Sequence, residues 1–322
     1  MKDVLKYANI VICSYLGGTP ELQEKRVGFH KRQRMILSDK FPEQKIVSVC
    51  SGYPAWAKSI MKGFECDFVP RRLYKLEIHN RALKHFYNTG GMDSMLILGD
   101  DVVPTQMKDI DLDPWEQIAI WLNYPDKMPA PCMFFSCKGV LRDSFYMARH
   151  NKGEFYSPTQ AVTGWAIMVR SDLKVMMRKE EIANDSWQFN DDSMLRYKCA
   201  AMGKECLKCN DLFFETFQGT SSDKNSLWYR DRDQRNEGIK QTHRQIMKLW
   251  PWLLRPGSTE DKLRPVWLVK GDVRKYMIFN GLLKEGNHSL VPTKKLQPWW
   301  EQQQAIENRP GLLELVSKQK RK

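Results

Sequence analysis

The sequence predicts an α/β fold: a mostly parallel sheet flanked by helices, followed by a basic, tryptophan-rich C-terminal extension. Short apolar runs alternate with helix-length segments through the first half of the 322 residues, as in repeated strand–helix units. A glycine-rich turn follows the first apolar run, and an acidic turn follows the fourth. Lys and Arg, which give a net charge of +13, are concentrated after Gly219. We therefore expect a sheet domain over residues 1–218 and a basic region over residues 219–322.

The sheet elements can be placed from the pattern of apolar residues. Thr19 and Pro20 are typical of the N-cap and first position of a helix, here one that runs to about Ser38. Apolar runs predict strands at 9–15, 45–52, 64–69, 95–98, 131–140, 164–170 and 204–217. Helical spacing predicts further helices at 78–88 and 190–203, the second with Met194, Leu195, Cys199 and Met202 facing inward.

The fourth strand ends on two adjacent acids, in the stretch MLILGDDVVP. Neighbouring carboxylates repel, and they are costly to bury unless a cation meets them. A surface turn is one interpretation, because Gly-Asp is common in turns. A divalent-cation site is the other, because Mg²⁺ and Mn²⁺ take carboxylate oxygens and bridge them to phosphates. The glycine-rich turn SYLGGT ends the first strand, and ligands of parallel sheets bind at such carboxyl ends.

These motifs, in order, resemble those of GT-A-fold nucleotide-sugar glycosyltransferases. SMLILGDDVVP resembles the element that carries the metal-binding Asp-x-Asp of that family, and a helix containing HNRALKHFYN precedes it. TGWAIMVRSDL is similar to the acceptor-side strand, and FNDDSMLRYKCAAMG is similar to the "xED" helix. The resemblance covers residues 8–218. It implies a GT-A-like fold and transfer of a sugar from a nucleotide diphosphate sugar, with Mn²⁺ or Mg²⁺ as cofactor.

The resemblance also implies roles for individual residues. Asp101 is the expected metal ligand, and Gly99 stands where the family has a further acid. Asp192, with Asp191, is the expected catalytic base. A single displacement at the anomeric carbon, assisted by one base, would invert the anomeric centre. Capping of the helix by these acids is the alternative. The expected donor-binding residues are Ser14, Tyr15, Gly17, Gly18, Arg81 and Asp100.

A late metal ligand, commonly a histidine in this family, is not fixed by the sequence. His243 is one candidate, although a lone histidine is more often structural. Ser221 and Ser222 lie nearer the expected position.

The basic C-terminal region suggests a polyanionic partner, nucleic acid before an anionic membrane surface. With its basic charge and its GT-A-like motifs, the chain resembles the compact phage-encoded transferases that glycosylate hydroxymethylated pyrimidines in DNA. This resemblance implies DNA as the acceptor. The residues expected to contact the acceptor are Trp165, Trp228, Arg230, Arg232 and Arg235. The alternative for the tryptophans of this region, including Trp250, is packing in a core.

Other functions stay open at this point. A transferase acting on a surface or lipid-linked glycan would use the same site, and a nucleotidyltransferase would use the same sheet and acids. A nucleic-acid-binding protein with a degenerate transferase core is the non-enzymatic alternative.

Smaller features complete the predictions. No apolar run is long enough for a membrane span, and eight cysteines without a secretion signal indicate reduced thiols and a cytoplasmic location. Cys206 and Cys209 form a C-x-x-C without a second pair, so buried thiols are expected rather than a zinc site. Arg26, His30 and Arg34 recur every four residues and are expected to form a solvated stripe on the first helix.

Overall fold

A computed structural model gives the structure of the chain. It describes residues 9–71, 73, 77–78, 81–82, 93–105, 111, 113–138, 156–157, 166–173, 191–216, 232–286 and 289–305. The strands are β1 (Ile10–Tyr15), β2 (Ile46–Ser51), β3 (Cys66–Val69), β4 (Ser94–Gly99), β5 (Val102–Thr105), β6 (Cys132–Lys138), β7 (Tyr156–Ser157), β8 (Ala166–Arg170), β9 (Cys206–Thr216), β10 (Leu283–Glu285) and β11 (Leu290–Pro292). The α-helices are α1 (Pro20–Lys40), α2 (Ala55–Ile60), α3 (Pro114–Asn123), α4 (Asp191–Ala201), α5 (Arg232–Leu249), α6 (Gly271–Phe279) and α7 (Leu296–Ala305).

One large sheet organises the described residues. Its strand order is β3-β2-β1-β4-β8-β6-β9-β5, with β7 paired to β9. The first four strands are parallel, β8 is antiparallel to both β4 and β6, and β6 is parallel to β9. The predicted class, an α/β sheet flanked by helices, is confirmed. Cys13 of β1 pairs with Gly99 of β4, so the glycine-rich turn and the acidic turn leave the sheet side by side.

The predicted elements near the site are observed with small changes of boundary. Helix α1 begins at Pro20 after Thr19 and continues to Lys40. The predicted helix 190–203 is α4, which ends before Gly203, a residue with φ of +67°. Met202 is 37% exposed, so its predicted inward position is wrong, because the helix has already ended at Ala201. Most of the helix expected at 78–88 lies outside the described residues.

Hydrophobic side chains pack on both faces of the sheet. On one face, alternate residues such as Ile10 and Leu96 pack with α3 residues such as Trp121. On the other, Val11 and Ile97 belong to a cluster that also contains residues of α4 and of the C-terminal region, among them Trp250 and Trp267. The strand alternation of period two therefore assigns each face its own partners.

The C-terminal region thus contributes to the core that covers the sheet. Trp250 and Trp267 are 5% and 6% exposed, so packing is the correct interpretation for these two rings. Some cations of the region are paired with acids, as Arg244 is with Glu260 and Arg274 with Glu285. In the described parts of the chain, no helix is long and apolar enough to cross a membrane.

Replacing Trp250 tests this packing. Trp250→Ala is expected to lower the free energy of unfolding by about 3–5 kcal/mol, because it removes a large buried ring and leaves a cavity. Chemical denaturation measures the change. Trp56→Ala is the matched control, because Trp56 is 38% exposed and its loss should cost far less. Equal costs for the two variants would contradict the shared core.

Candidate active site

The two acids of the GDD turn lie inside the protein. They connect β4 to β5, and Asp100 is fully buried while Asp101 is 7% exposed. The interpretation of GDD as a plain surface turn is therefore wrong. Two buried neighbouring carboxylates need positive charge or hydrogen-bond donors close by.

One oxygen of Asp100 is held by two donors. The Ser14 hydroxyl donates to Oδ2 at 2.5 Å, and the Arg26 Nε donates to the same oxygen at 2.8 Å. The other oxygen, Oδ1, is buried and has no hydrogen-bond partner within the described structure. A buried carboxylate oxygen without a partner is rare, and it is a position where a cation or a ligand donor would bind.

A chain of hydrogen bonds continues behind Ser14. The Ser14 hydroxyl lies 2.5 Å from the Tyr53 hydroxyl, which lies 2.8 Å from His30 Nδ1. His30 Nε2 lies 2.9 Å from the Ser48 hydroxyl. Because the carboxylate only accepts, Ser14 donates to it, Tyr53 donates to Ser14, His30 Nδ1 donates to Tyr53, and Ser48 donates to His30 Nε2.

Burial keeps the central members of this chain neutral. Burial lowers the pKa of His30 to about 4, against a smaller opposing effect of Asp100. Burial, with Cys50 and Asp100, raises the pKa of Tyr53 well above its usual value. A neutral imidazole has one donor and one acceptor nitrogen, which is what its two neighbours require.

Gln33 of α1 fixes the backbone of the acidic turn. Its side-chain amide donates to the carbonyls of Gly99, at 2.6 Å, and of Val102, at 2.5 Å. These two carbonyls flank the acids, so one side chain holds both sides of the turn.

The charge balance at the turn raises the pKa of Asp101. Burial is the largest cause and the neighbouring charge of Asp100 is the second, and together they raise the pKa from 3.8 to about 6 against the opposing effect of Arg26. Burial acts to lower the pKa of Arg26. The negative charge and the hydrogen bond of Asp100 have the opposite effect, and the pKa of Arg26 is raised as a result.

The donor set fits a hard divalent cation. Asp101 supplies a carboxylate, and Asp100 supplies an oxygen that has no hydrogen-bond partner among the described residues. Carboxylate oxygens are the ligands that Mg²⁺ and Mn²⁺ prefer. The residues that would hold such an ion are therefore Asp100 and Asp101.

Two positions of the glycine-rich turn, Gly17 and Gly18, favour glycine for conformational or steric reasons. Gly18 has a φ of +92°, which favours glycine, and it lies just before helix α1. A Cβ on Gly17 would overlap the Tyr15 ring. The turn brings backbone amides and the start of a long helix close to Asp100, an arrangement suited to phosphate.

The buried polar face of α1 is the part of the site that the sequence prediction missed. Arg26, His30 and Arg34 do not form a solvated stripe: Arg26 pairs with Asp100, His30 is fully buried, and Arg34 is 4% exposed. The helix packs this polar face against the acidic turn, where the carboxylates need donors. The available signal was the four-residue recurrence of cations and imidazole, together with Gln33.

The predicted catalytic acids lie in the first turn of α4. This helix enters β9 through a short turn and packs against that strand. Strands β4, β6 and β9 run in the same direction, so α4 begins toward the sheet edge where β4 ends. At 1.5 Å per residue, Asp191 is separated from Cys199 by about 12 Å along the helix axis.

Other predicted residues have different surroundings. Arg81 forms an ion pair with Asp67 on β3, two strands from β1. His243 Nδ1 lies 2.6 Å from the Glu260 carbonyl oxygen, a structural contact. Arg232 and Arg235 lie at the start of α5. Trp165, Trp228, Arg230, Ser221 and Ser222 lie outside the described residues.

Comparisons with known proteins give weak structural similarity. No protein-family model and no curated protein matches the chain. A mannosyltransferase from Pyrobaculum calidifontis, solved with GDP-Man and Mn²⁺, matches with 15% identity and a TM-score of 0.49, over 74% of this chain and 63% of that chain. GalNAc-T7, solved with UDP, GalNAc and Mn²⁺, matches with 10% identity and a TM-score of 0.41, over 77% of this chain and 49% of that chain. A CMP:2-keto-3-deoxy-manno-octonic acid synthetase, complexed with CTP, matches with 8% identity and a TM-score of 0.36, over 71% and 97%.

This chain therefore spans less than two thirds of the length of the mannosyltransferase and of GalNAc-T7. Similarities of this size establish neither a shared activity nor a shared substrate.

The raised pKa of Asp101 predicts a dependence of stability on pH. The folded state holds this proton more tightly than the unfolded state, so without divalent metal the free energy of unfolding falls as pH rises from about 4 to about 6. The loss attributable to Asp101 is about 3 kcal/mol at most. Denaturation in a chelator across this range measures it.

Asp101→Asn should remove this fall and be the more stable protein above pH 6 without metal. Asp113→Asn is the control, because Asp113 is an exposed helix N-cap and asparagine caps equally well. A wild-type pH profile in Asp101→Asn would contradict the assignment.

Proposed function

We propose that the chain is a metal-dependent glycosyltransferase that moves a sugar from a nucleotide diphosphate sugar to a hydroxymethylated base in DNA, or to a sugar on that base. The observation that carries the proposal is the buried carboxylate pair beside the glycine-rich turn. One oxygen of Asp100 has no partner in the described structure, and burial and the neighbouring charge of Asp100 raise the pKa of Asp101. A divalent cation bound to a diphosphate would satisfy both.

The residues in and around the acidic turn then have distinct roles in binding the nucleotide diphosphate sugar. Asp101 and Asp100 hold the cation, which when bound would neutralise charge on the departing diphosphate. Ser14 and Arg26 fix the orientation of Asp100. The turn that includes Gly17 approaches the phosphates through its backbone.

The acceptor side of the proposal uses α4. Asp192 takes the proton of the acceptor hydroxyl as its oxygen attacks the anomeric carbon, while the nucleoside diphosphate leaves. The start of α4 lies toward the same sheet edge as Asp100, which supports this role. A single displacement of this kind inverts the anomeric centre.

The DNA acceptor is supported by charge. The chain has a net charge of +13, and the C-terminal region contributes exposed lysines such as Lys270, Lys275 and Lys294. Cations of this kind contact phosphates independently of sequence. A base inside a duplex is hard to reach, so the target base would be extruded.

Sugar transfer is tested by incubation with nucleotide sugars, Mn²⁺ and duplex DNA that contains hydroxymethylcytosine or unmodified cytosine. The expected result is a hexose or pentose mass increase on hydroxymethylated DNA only, with release of a nucleoside diphosphate. Release of inorganic diphosphate would indicate a nucleotidyltransferase instead. Transfer to a glycan or lipid-linked acceptor, with none to DNA, would replace the DNA acceptor.

Two substitutions test the assigned residues. Asp101→Asn and Asp192→Asn are each expected to lower the rate of transfer by about 100-fold or more, because a ligand or a general base is lost. Asp113→Asn should keep the wild-type rate. Transfer that survives in both site variants would refute the assignment, and DNA binding without any transfer would favour a non-catalytic binding protein.

Salt dependence tests the DNA contact separately. Affinity for plain duplex DNA should fall about 100-fold between 50 and 200 mM salt if about four phosphates are contacted. Arg232→Ala and Arg235→Ala should each reduce the logarithmic salt slope by about one. Arg274→Ala is the control, because its guanidinium is already paired with Glu285. Tight binding to anionic vesicles, with none to DNA, would point to a membrane surface.

A further inference from the structure

Three cysteines from distant parts of the sequence meet at one place in the core. The Sγ atoms of Cys132, Cys199 and Cys206 all lie within 4.8 Å of one another. Cys132 and Cys206 are paired residues at the starts of the neighbouring parallel strands β6 and β9, and Cys199 lies on α4. We call these residues the thiol cluster. In the described structure none of its members forms a disulfide.

The thiol cluster is not the C-x-x-C motif that the sequence displays. Cys209 packs in the core on one face of the sheet, whereas Cys206 packs against the core on the other. The two cysteines of the motif are thus separated by the sheet itself. Cys206 instead meets two thiols that no sequence spacing connects to it.

The cluster is also distant from the acidic turn. Cys132 pairs with Val169, which pairs with Met95, so the cluster is level with the beginning of β4. Asp100 lies five residues further along the chain, about 17 Å in the strand direction. The cluster is therefore at the opposite edge of the sheet from the candidate active site.

The surroundings favour ionised sulfur at Cys206, whereas neighbouring thiols and burial raise the pKa values of Cys132 and Cys199. Arg196, one turn before Cys199 on α4, is 5% exposed and lies over the Trp267 ring at 5.4 Å. Burial acts to raise the pKa of Cys206, but hydrogen bonds with Cys132 and Cys199 and the positive charge of Arg196 together lower it well below its usual value. Cys206 also lines a surface pocket together with Arg196, Lys204 and Glu205, which gives an ion a route to the cluster.

We propose that Cys132, Cys199 and Cys206 form a binding site for one thiophilic metal ion, Zn²⁺ or Cu⁺. Each thiol loses its proton to solvent as its sulfur coordinates the ion. Soft thiolates select these ions over Mg²⁺ and Mn²⁺, so the site does not compete for the metal of the acidic turn. Three thiolates around Zn²⁺ leave one negative charge, which Arg196 faces.

The geometry needs only a small adjustment. Zinc–sulfur bonds of about 2.3 Å in a tetrahedral set place the sulfurs about 3.8 Å apart, so the three thiols would each move by less than about 1 Å. The pocket that Cys206 lines would admit water as a fourth ligand of Zn²⁺, whereas Cu⁺ needs only the three sulfurs. Either ion would fasten α4, and with it Asp191 and Asp192, to β6 and β9.

The test uses the full-length chain, reduced and stripped of metal with a chelator. Titration with Co²⁺, a spectroscopic substitute for Zn²⁺, should produce a sulfur-to-cobalt charge-transfer band that saturates at one equivalent and disappears on addition of Zn²⁺. Cu⁺ is added anaerobically in a second arm, and its retention after gel filtration is measured. One of the two ions should bind at one equivalent per chain.

Cys206→Ser should abolish binding, whereas Cys209→Ser, the control in the same strand, should retain it. Because a core variant can misfold, differential alkylation of the wild-type chain gives an independent result. Bound metal should slow the alkylation of Cys206, which lines the surface pocket, and leave the alkylation rate of the partly exposed Cys66 unchanged. The proposal would be overturned if neither ion bound at one equivalent per chain, or if Cys206→Ser bound metal as well as the wild type does. These measurements do not depend on sugar transfer.

Discussion

Two carboxylates buried side by side at the end of β4 impose a charge requirement on the structure around them. Asp100 is met by Ser14 and Arg26, yet one of its oxygens has no hydrogen-bond partner among the described residues, and burial and the charge of Asp100 raise the pKa of Asp101. Burying such a pair is costly, and a core of apolar residues would have been more stable. The acids therefore make physical sense as part of a site that is completed by a cation and its ligand.

The first helix serves this requirement more than it serves the apolar core. Its face toward the sheet carries the half-buried Arg26 and the buried His30 and Gln33, which reach the acidic turn directly or through Tyr53. A helix normally buries an apolar stripe. Here donors replace much of that stripe, because the strand ends beneath the helix present acceptors. Helix α1 therefore gains less stability from hydrophobic burial, and its polar side chains hold the acidic turn in place instead.

The sequence predicted the fold further than it predicted the site. Apolar runs located the strands because buried strands must be apolar whatever their neighbours are. The acidic turn was located because Asp100 and Asp101 break such a run. The contributions of Arg26 and His30 to this site were not located, because both look like ordinary surface residues until the position of α1 over the sheet is known. The meeting of Cys132, Cys199 and Cys206 depends on strand order, which spacing along the chain does not encode.

The hydrogen bonds from Ser48 to Asp100 have a fixed direction, and this has a consequence for the electrostatics of the site. Each hydroxyl and the imidazole of His30 point their hydrogens the same way, toward the carboxylate. Their dipoles therefore add, as peptide dipoles do in a helix, and together they favour a negative Asp100. Reversing the direction of any one of these hydrogen bonds would require reversing all of them. The hydrogen-bonded series therefore behaves as a single polarised unit, which couples Ser48 on β2 to the charge at the end of β4.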